Sequence, residues 1–495
     1  MAAFTKKIGS FCRKNKRPLI AVAGLALTVA VAFAASAISN YIRLHTNTSG
    51  LIFTLNAETD TYEVTGYEGT SDAVVITGSY DGKKVSAVAE EAFAENEVIR
   101  VLSISDVPVI GKKAFIGCPT LQLVTVYDGV TKIGSYAFAG CAELVRAELA
   151  DSVTEIGTDL FINCAKLKTL RLSDGLTEIP MYTCAGCAAL TEIDIPDAVT
   201  VIGKRAFSGC AALTECKLPK NLRVIDDYAF ASGSAFTEQN QLTKIELPES
   251  LEKLGLGAFY YGRHLETVRI PSGITEIQPY TFYECNALTR ITLPAGLTKI
   301  GEFSFFDCTS LRYISLPDKL TEIGGRAFYK NPWVEEMADE NGFTIAADTF
   351  FGYTGDAESV TLPSSGYSLV ANVCYGSQTL KHVTVPAGTA RVISKQAFSS
   401  ATYLESVRIG EGVEVLGDSA FYYDNSLTLL CLPASLKTIE ANVFEMCNTS
   451  EVLGPGLPDV YYAGTRAAWR DIAINETNPE FLSVPIVFES TGPEA

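Results

Sequence analysis

One sentence of about 23 residues recurs along most of this chain and restricts its fold more than any other feature. Its form is plain in IDIPDAVTVIGKRAFSGC, Ile193 to Cys210. An alternating apolar run (Leu190, Ile193, Ile195) ends in Pro196, and a second apolar pair, Val199 and Ile202, leads into Gly203. Ala206 and Phe207 follow, and Cys210 comes three residues after the ring. The Phe slot is filled at Phe93, Phe115, Phe138, Phe161, Cys184, Phe207, Phe230, Phe259, Phe282, Phe305 and Phe328, then at Cys374, Phe398, Phe421 and Phe444. Within these two runs the step is 22 to 24 residues, except for 29 between Phe230 and Phe259, where Ser234 to Asn240 adds an insertion. Fifteen registered copies describe a solenoid, in which each unit is too small to bury its own apolar face and stacks on its neighbours.

The Leu-x-x-Ile-x-Leu segment supplies one strand per coil. The whole template, LxxIxLPxxLTxIGxxAFxxC, resembles the BspA-like, treponemal class of leucine-rich repeat over about residues 86–450. With the counted copies, the resemblance implies a repeat solenoid of about 15 coils of 23 residues, each with one short β-strand and closed by β-rich caps, and the apolar stretch 18–42 precedes it as one N-terminal transmembrane or signal helix. It also implies a bacterial surface protein of adhesive type. A solenoid is a scaffold, however, and function must be sought in what it displays.

Around the repeats the text changes. Residues 1–17 form a basic cytoplasmic n-region with six Lys/Arg and no acid. The chain carries −18 overall, so the remainder sets 33 bases against 57 acids, −24. A body that acidic lacks the basic face with which a protein displaces counterions from nucleic acid. Residues 18–42 are uncharged and rich in Ala, Val and Leu, long enough to cross a hydrocarbon layer of about 30 Å. Two readings stay open: a retained signal-anchor, or a signal peptide cleaved after Ala32-Phe33-Ala34. With basic residues held inside, either one places the repeats outside the cytoplasm. Residues 50–85 predict an N-terminal β cap of short strands with Asp81-Gly82 as a hairpin signal. Repeats fill 86–330, an interruption or re-initiation module fills 331–358, repeats resume over 359–450, and 451–495 form a C-terminal cap with a helix near Thr465.

Cys184-Ala-Gly-Cys187 has the spacing of a redox or zinc pair, but the repeat explains it. Cys187 occupies the slot of Cys118, Cys141, Cys164, Cys210, Cys285, Cys308 and Cys447, and Cys184 replaces the Phe of its own copy. Coils paired strand to strand lie about 4.8 Å apart. At that spacing equivalent Cβ vectors run parallel, which suits disulfide geometry poorly and predicts buried thiols acting as small apolar residues. His45, His264 and His382 lie in unrelated places, and no nucleophile–base or paired-carboxylate spacing surrounds them. No catalytic residue, cofactor site or metal site is nominated, and the chain is not expected to be an enzyme.

Two displays remain. Alternation along each strand sends the flanking residues outward: Arg146/Glu148, Thr169/Arg171, Glu192/Asp194, Glu215/Lys217, Lys244/Glu246, Thr267/Arg269, Arg290/Thr292 and Tyr313/Ser315, a row of mixed sign. The residue after the Phe slot is small or aliphatic in early coils (Ala139, Ile162, Ala185, Ser208, Ala231) but becomes aromatic at Tyr260, Tyr283, Phe306, Tyr329, Tyr375 and Tyr422. Such a stripe is either a contact surface or a set of rings leaning on one another. The candidate binding residues are therefore those six aromatics with Arg269, Arg290 and Tyr313. The expected partner is a protein or cell-surface macromolecule, with the membrane engaged through residues 18–42 if these are retained. The rival is a structural stalk or envelope component without a dedicated ligand.

Overall fold

The computed structural model describes residues 46–493 apart from 233–239, 347–348, 365–368, 371–372, 374–378, 446, 448–457 and 479–483. Each regular coil is a flattened loop with two strands and a turn segment. In a representative coil, Arg146–Leu149 pairs in parallel with Leu123–Val126 on one side and Thr169–Arg171 on the other. After the bend, the two-residue strand Glu155–Ile156 pairs with Lys132–Ile133 in a second sheet. That second strand, which the template did not announce, falls on the Ile-Gly step. Gly203 shows why glycine follows it, because a Cβ there would lie 2.7 Å from the backbone nitrogen of Met181 one coil earlier. The Pro that ends the first strand donates no hydrogen bond but accepts one, as from Val199 N to Pro196 O at 3.0 Å, and so turns the chain toward the second sheet.

The turn segment is also stitched coil to coil. Phe207 N donates to Ala229 O (2.9 Å) and Phe230 N to Ala258 O (2.9 Å), a ladder that repeats along the molecule. The backbone adopts positive φ two residues before and two after the ring, at Arg205 (54°) and Gly209 (73°) in this coil. Ala147, Leu149, Ile156, Leu160, Phe161, Cys164 and Leu167 point inward and are buried. The rings form a continuous stack, with centroids 5.5 Å apart from Phe207 to Phe230 and 5.6 Å from Phe259 to Phe282, broken where Cys184 replaces one.

The cysteine slot has a specific task. Cys118 Sγ donates to Phe93 O at 3.1 Å, Cys164 Sγ to Phe138 O at 3.1 Å and Cys308 Sγ to Phe282 O at 3.2 Å, each 25 or 26 residues back. All eight cysteines of the slot are free and buried, and burial pushes thiols such as Cys187, Cys210 and Cys308 well above their ordinary pKa, so they are inert packing donors. Asn331 occupies the slot after Phe328, and its Nδ2 donates to Phe305 O at 3.0 Å in the thiol's place.

Asp424 breaks the pattern. It fills the slot after Phe421 and is fully buried. Its Oδ1 accepts from Ala401 N at 2.6 Å, while Oδ2 has no hydrogen-bond partner among the described residues. In this slot the cysteines and Asn331 donate to the carbonyl of the preceding ring, which a protonated carboxyl can do and a carboxylate cannot. Burial accordingly holds its pKa well above the usual carboxylate range, against the opposing pull of the Ala401 N–H and Arg326. The folded chain keeps this proton at pH values where the unfolded chain has released it. The group's contribution to stability is therefore fullest below about pH 4 and falls as pH rises. Asp424→Asn supplies the missing N–H donor, as Asn331 does, and is expected to stabilise this part of the chain by about 1 to 3 kcal/mol at neutral pH. Thermal unfolding at neutral pH and about pH 5 checks this: the gain should shrink at the lower pH, and equal melting temperatures at neutral pH would refute it.

Two hairpins open two arrays. Leu51–Asn56 and Thr61–Tyr67 pair antiparallel, and the second of these then pairs in parallel with Lys83–Val88. Phe343–Ala346 and Thr349–Tyr353 repeat the arrangement, the latter pairing with Leu369–Val370. Both hairpins use Gly-Tyr-x-Gly, at 66–69 and 352–355, and both close with one backbone bond: Glu68 N to Gly50 O and Thr354 N to Gly342 O, each 2.9 Å. The buried residues form one core running from Val64 to Phe351 and a second from Phe350 to Ile472. Past the second array, a helix at Arg466–Arg470 starts at Thr465, whose side chain accepts from Ala468 N at 3.1 Å, and rests Trp469 against Tyr462 (5.0 Å). The last strand, Ile486–Phe488, pairs with Val460–Tyr462. Among the described residues no helix is long and apolar enough to cross a membrane, and the helix expected at 18–42 lies outside them.

Candidate binding surfaces

The turn face carries the aromatic stripe. Tyr260 stacks on Tyr283 (centroids 4.9 Å), Tyr283 on Phe306 (4.8 Å) and Phe306 on Tyr329 (5.0 Å), with ring planes within 22° of parallel. A second row, absent from the sequence reading, interleaves with it. Tyr228, Tyr280 and Phe303 sit two residues before the Phe slot, in the positive-φ position, and Tyr280 stacks on Phe303 at 5.3 Å. Phe303 meets Phe306 at 5.6 Å and Tyr261 meets Tyr260 at 4.4 Å, so eight half-buried rings make one sheet across the turns. The sequence held a signal for this row, since Tyr136, Tyr182, Tyr228, Tyr280 and Phe303 share one slot.

Cations border the array. Arg205 lies 4.7 Å over Tyr228 and Arg263 5.1 Å over Tyr261, while Arg326 reaches both Phe303 (6.0 Å) and Tyr329 (5.9 Å). Burial pushes the Tyr283 hydroxyl up to about 12 and that of Tyr260 higher still, so both phenols are neutral donors and acceptors at physiological pH. Tyr283 and Phe306 are stacked on both faces, while Tyr260, Tyr329, Tyr280 and Phe303 each stack on one.

The stripe ends where the second array begins. Arg326 Nη2 donates to Ser399 O (3.4 Å), Ser399 Oγ (3.3 Å) and Ser400 Oγ, and Lys395 bridges Glu302 (3.0 Å) and Asp418 (3.6 Å). Of the six aromatics singled out, the fold brings together Tyr260, Tyr283, Phe306 and Tyr329. Tyr422 stands apart in the second array beside Tyr423 (6.4 Å), and Tyr375 lies outside the described residues.

The strand face is the other display. Every residue of the row from Arg146 to Ser315 is exposed or half-buried while Ala147, Ile193, Val268 and Ile291 between them are buried, which fixes the register. Ion pairs lace the row, among them Lys244–Glu246 (2.5 Å) and Arg269–Glu249. Beyond the insertion Thr267–Arg269 pairs in parallel with Arg290–Thr292, and on either side of that pair the sheet continues only by single bridges, Lys244 to Thr267 and Arg290 to Tyr313. There the surface dips into a shallow groove of about 370 Å³ lined by Lys244, Glu246, Thr267, Arg269, Arg290 and Thr292. Arg269 and Arg290 share this groove, and Tyr313, 68% exposed, stands next to Arg290. The arginine set and the aromatic set occupy different faces of the coil. His382 Nδ1 meets Ser406 Oγ at 2.9 Å, and among the described residues no group of His, Cys, Asp or Glu could hold a metal.

A family model described as BspA type leucine rich repeat region matches residues 108–235, 232–354 and 344–459. Comparison with curated protein sequences returns no match. Similar solved structures include a leucine-rich repeat protein from Bacteroides ovatus, 22% identical, covering 79% of this chain and 95% of that one with a TM-score of 0.43. Another is a leucine rich cell surface protein from Faecalibacterium prausnitzii, 22% identical, covering 86% and 97%, TM-score 0.35. A third is the pneumococcal vaccine antigen PcpA, 20% identical, covering 90% and 98%, TM-score 0.39.

Proposed function

This chain belongs to the BspA-type leucine-rich repeat family, and from that premise we propose that it is an extracytoplasmic, non-catalytic binding protein of adhesin-like type, holding a protein partner or cell-surface macromolecule on the flank of a rigid solenoid. The six basic residues ahead of the uncharged stretch 18–42 support export, with that stretch as a membrane anchor or a cleaved signal. Residues 50–85 and 451–495 act as caps, and 331–358 restarts the array.

The observation that carries the reading is the interleaved aromatic sheet on the turn face. The Phe ladder already supplies a buried ring to the coils of the first array except that of Cys184. The second and third rings per coil are half-buried surface, with tyrosine adding contact area and a polar tip. Because the central rings Tyr283 and Phe306 are stacked on both faces, a partner meets their edges, which suits a protein surface better than a sugar ring needing an open aromatic face. The same stacking favours the rival reading, a ladder that stiffens a stalk. A Tyr260/Tyr283/Tyr329 triple alanine variant separates the two. In a pull-down from matrix and cell-envelope extracts it is expected to lose the partner retained by the parent while keeping a near-native melting temperature. A large fall in melting temperature with capture retained below it would make the rings structural.

A further inference from the structure

The strand face already carries one peptide, and it belongs to the chain itself. Past the last strand, Glu489 N donates to Gly464 O (3.0 Å) and Ser490 N to Tyr462 O (3.2 Å), which turns the segment back over the preceding coils. Arg408 then takes two alternate main-chain carbonyls, donating Nη1 to Thr491 O at 3.1 Å and Nη2 to Pro493 O. Gly492 passes between them so closely that a Cβ would lie 2.5 Å from Cys431 Sγ and 3.2 Å from Arg408 Nη1. Arg408, Cys431 and Tyr461 are in-register neighbours on three successive strands. One guanidinium fork is thus reading main-chain carbonyls on either side of a glycine at positive φ (85°), and its rigid, divergent donors suit carbonyls two residues apart.

The same strand occurs once more with its surface open. Leu404 to Ile409 is LESVRI, and Leu265 to Ile270 is LETVRI, so Arg269 occupies the slot of Arg408. Its in-register neighbour is Thr292 in place of Cys431, and Arg290 stands where the second array has Leu429. Arg269, Arg290 and Thr292 are exposed and line the groove of about 370 Å³. Glu249 engages one nitrogen of Arg269, leaving further N–H donors on that guanidinium. Charge tells what the groove would take. Lys244, Arg269 and Arg290 face Glu246 and Glu249, a near balance that gives a polyanion little net attraction but suits neutral carbonyl dipoles.

We infer that this groove docks a glycine-containing segment of a partner protein through its main chain, with Arg269 and Arg290 hydrogen-bonding its carbonyls as Arg408 does those of Thr491 and Pro493. The inference rests on the protein-binding reading and names the second face on which it operates. The test is a fluorescein-labelled, C-terminally amidated peptide of residues 488–495, FESTGPEA, titrated into the full chain by fluorescence polarisation. In that chain Arg408 is occupied by its own tail, so the probe reports on the open strand. Saturable binding is expected, weakened at least about tenfold by Arg269→Gln with Arg290→Gln at an unchanged melting temperature, and largely indifferent to salt between about 50 and about 300 mM. Absence of saturable binding, or binding that survives the double substitution, overturns the inference. Affinity that collapses with salt, or that inorganic phosphate abolishes, reassigns the groove to anions and also overturns it. Capture of a partner from extracts by the double variant would sink the groove while leaving the binding function standing.

Discussion

Replacing Phe207 by alanine is expected to destabilise the first array by about 3 to 5 kcal/mol, the range for emptying a buried aromatic site. Phe207 is 1% exposed and stacks on Phe230 at 5.5 Å, but on its other side the ladder is already interrupted, because Cys184 stands in the ring slot. Its removal leaves two consecutive coils without a ring, so nothing adjacent is large enough to collapse into the void. In a solenoid each coil is stabilised chiefly by the two it touches, so the defect weakens the joint between the coils before Cys184 and those after Phe230. Since the two cores are separate, the expected result in chemical or thermal denaturation is a first transition that moves and a second that does not. An unchanged first transition would show that the ring ladder is not the core.

Trp333→Ala is expected to be as severe in magnitude, about 3 to 5 kcal/mol, and different in reach. Trp333 is 2% exposed at the end of the first array, packed edge-on to Phe351 (5.1 Å) and tilted against Phe328 (5.2 Å), while its backbone N–H donates to Leu311 O at 3.0 Å. It thereby covers the last ring of one ladder and ties it to the hairpin that opens the next array. Without it, the coil of Phe328 loses its outer neighbour and frays from the end, where local opening has the fewest contacts to break. Hydrogen exchange is the measurement that distinguishes this from a global effect. Amides of about residues 320–351 should lose protection while those between Phe93 and Phe282 keep theirs, and uniform loss or none would contradict the end-cover role.

The repeat made most of the fold legible because each slot is written many times over. Strand alternation and a fixed step placed Ile193 and Ile195 inside with Glu192 and Asp194 outside, and the parallel register of 23 follows from that same step. Cys187 lost its apparent chemistry for the same reason, since its slot is shared by seven other cysteines whose only requirement is a small buried donor. The second aromatic row was equally present in the slot of Tyr228, Tyr280 and Phe303. What made it one surface with Tyr260 and Tyr283 was the turn geometry, in which positive φ two residues before the ring carries that side chain alongside the row that follows it. The remaining features are contacts between residues that no periodicity relates. Arg326 reaches Ser400 across 74 positions and Arg408 reaches Pro493 across 85. Asp424 is anomalous only in three dimensions, where the other residues of its slot donate to a carbonyl. A repeating sequence determines its nearest-neighbour packing, because every coil meets the next in the same way. Where the repetition stops, at the junction of the arrays and at the tail, the partner of each residue depends on how far the preceding coils have carried the chain, and the three-dimensional path alone decides it.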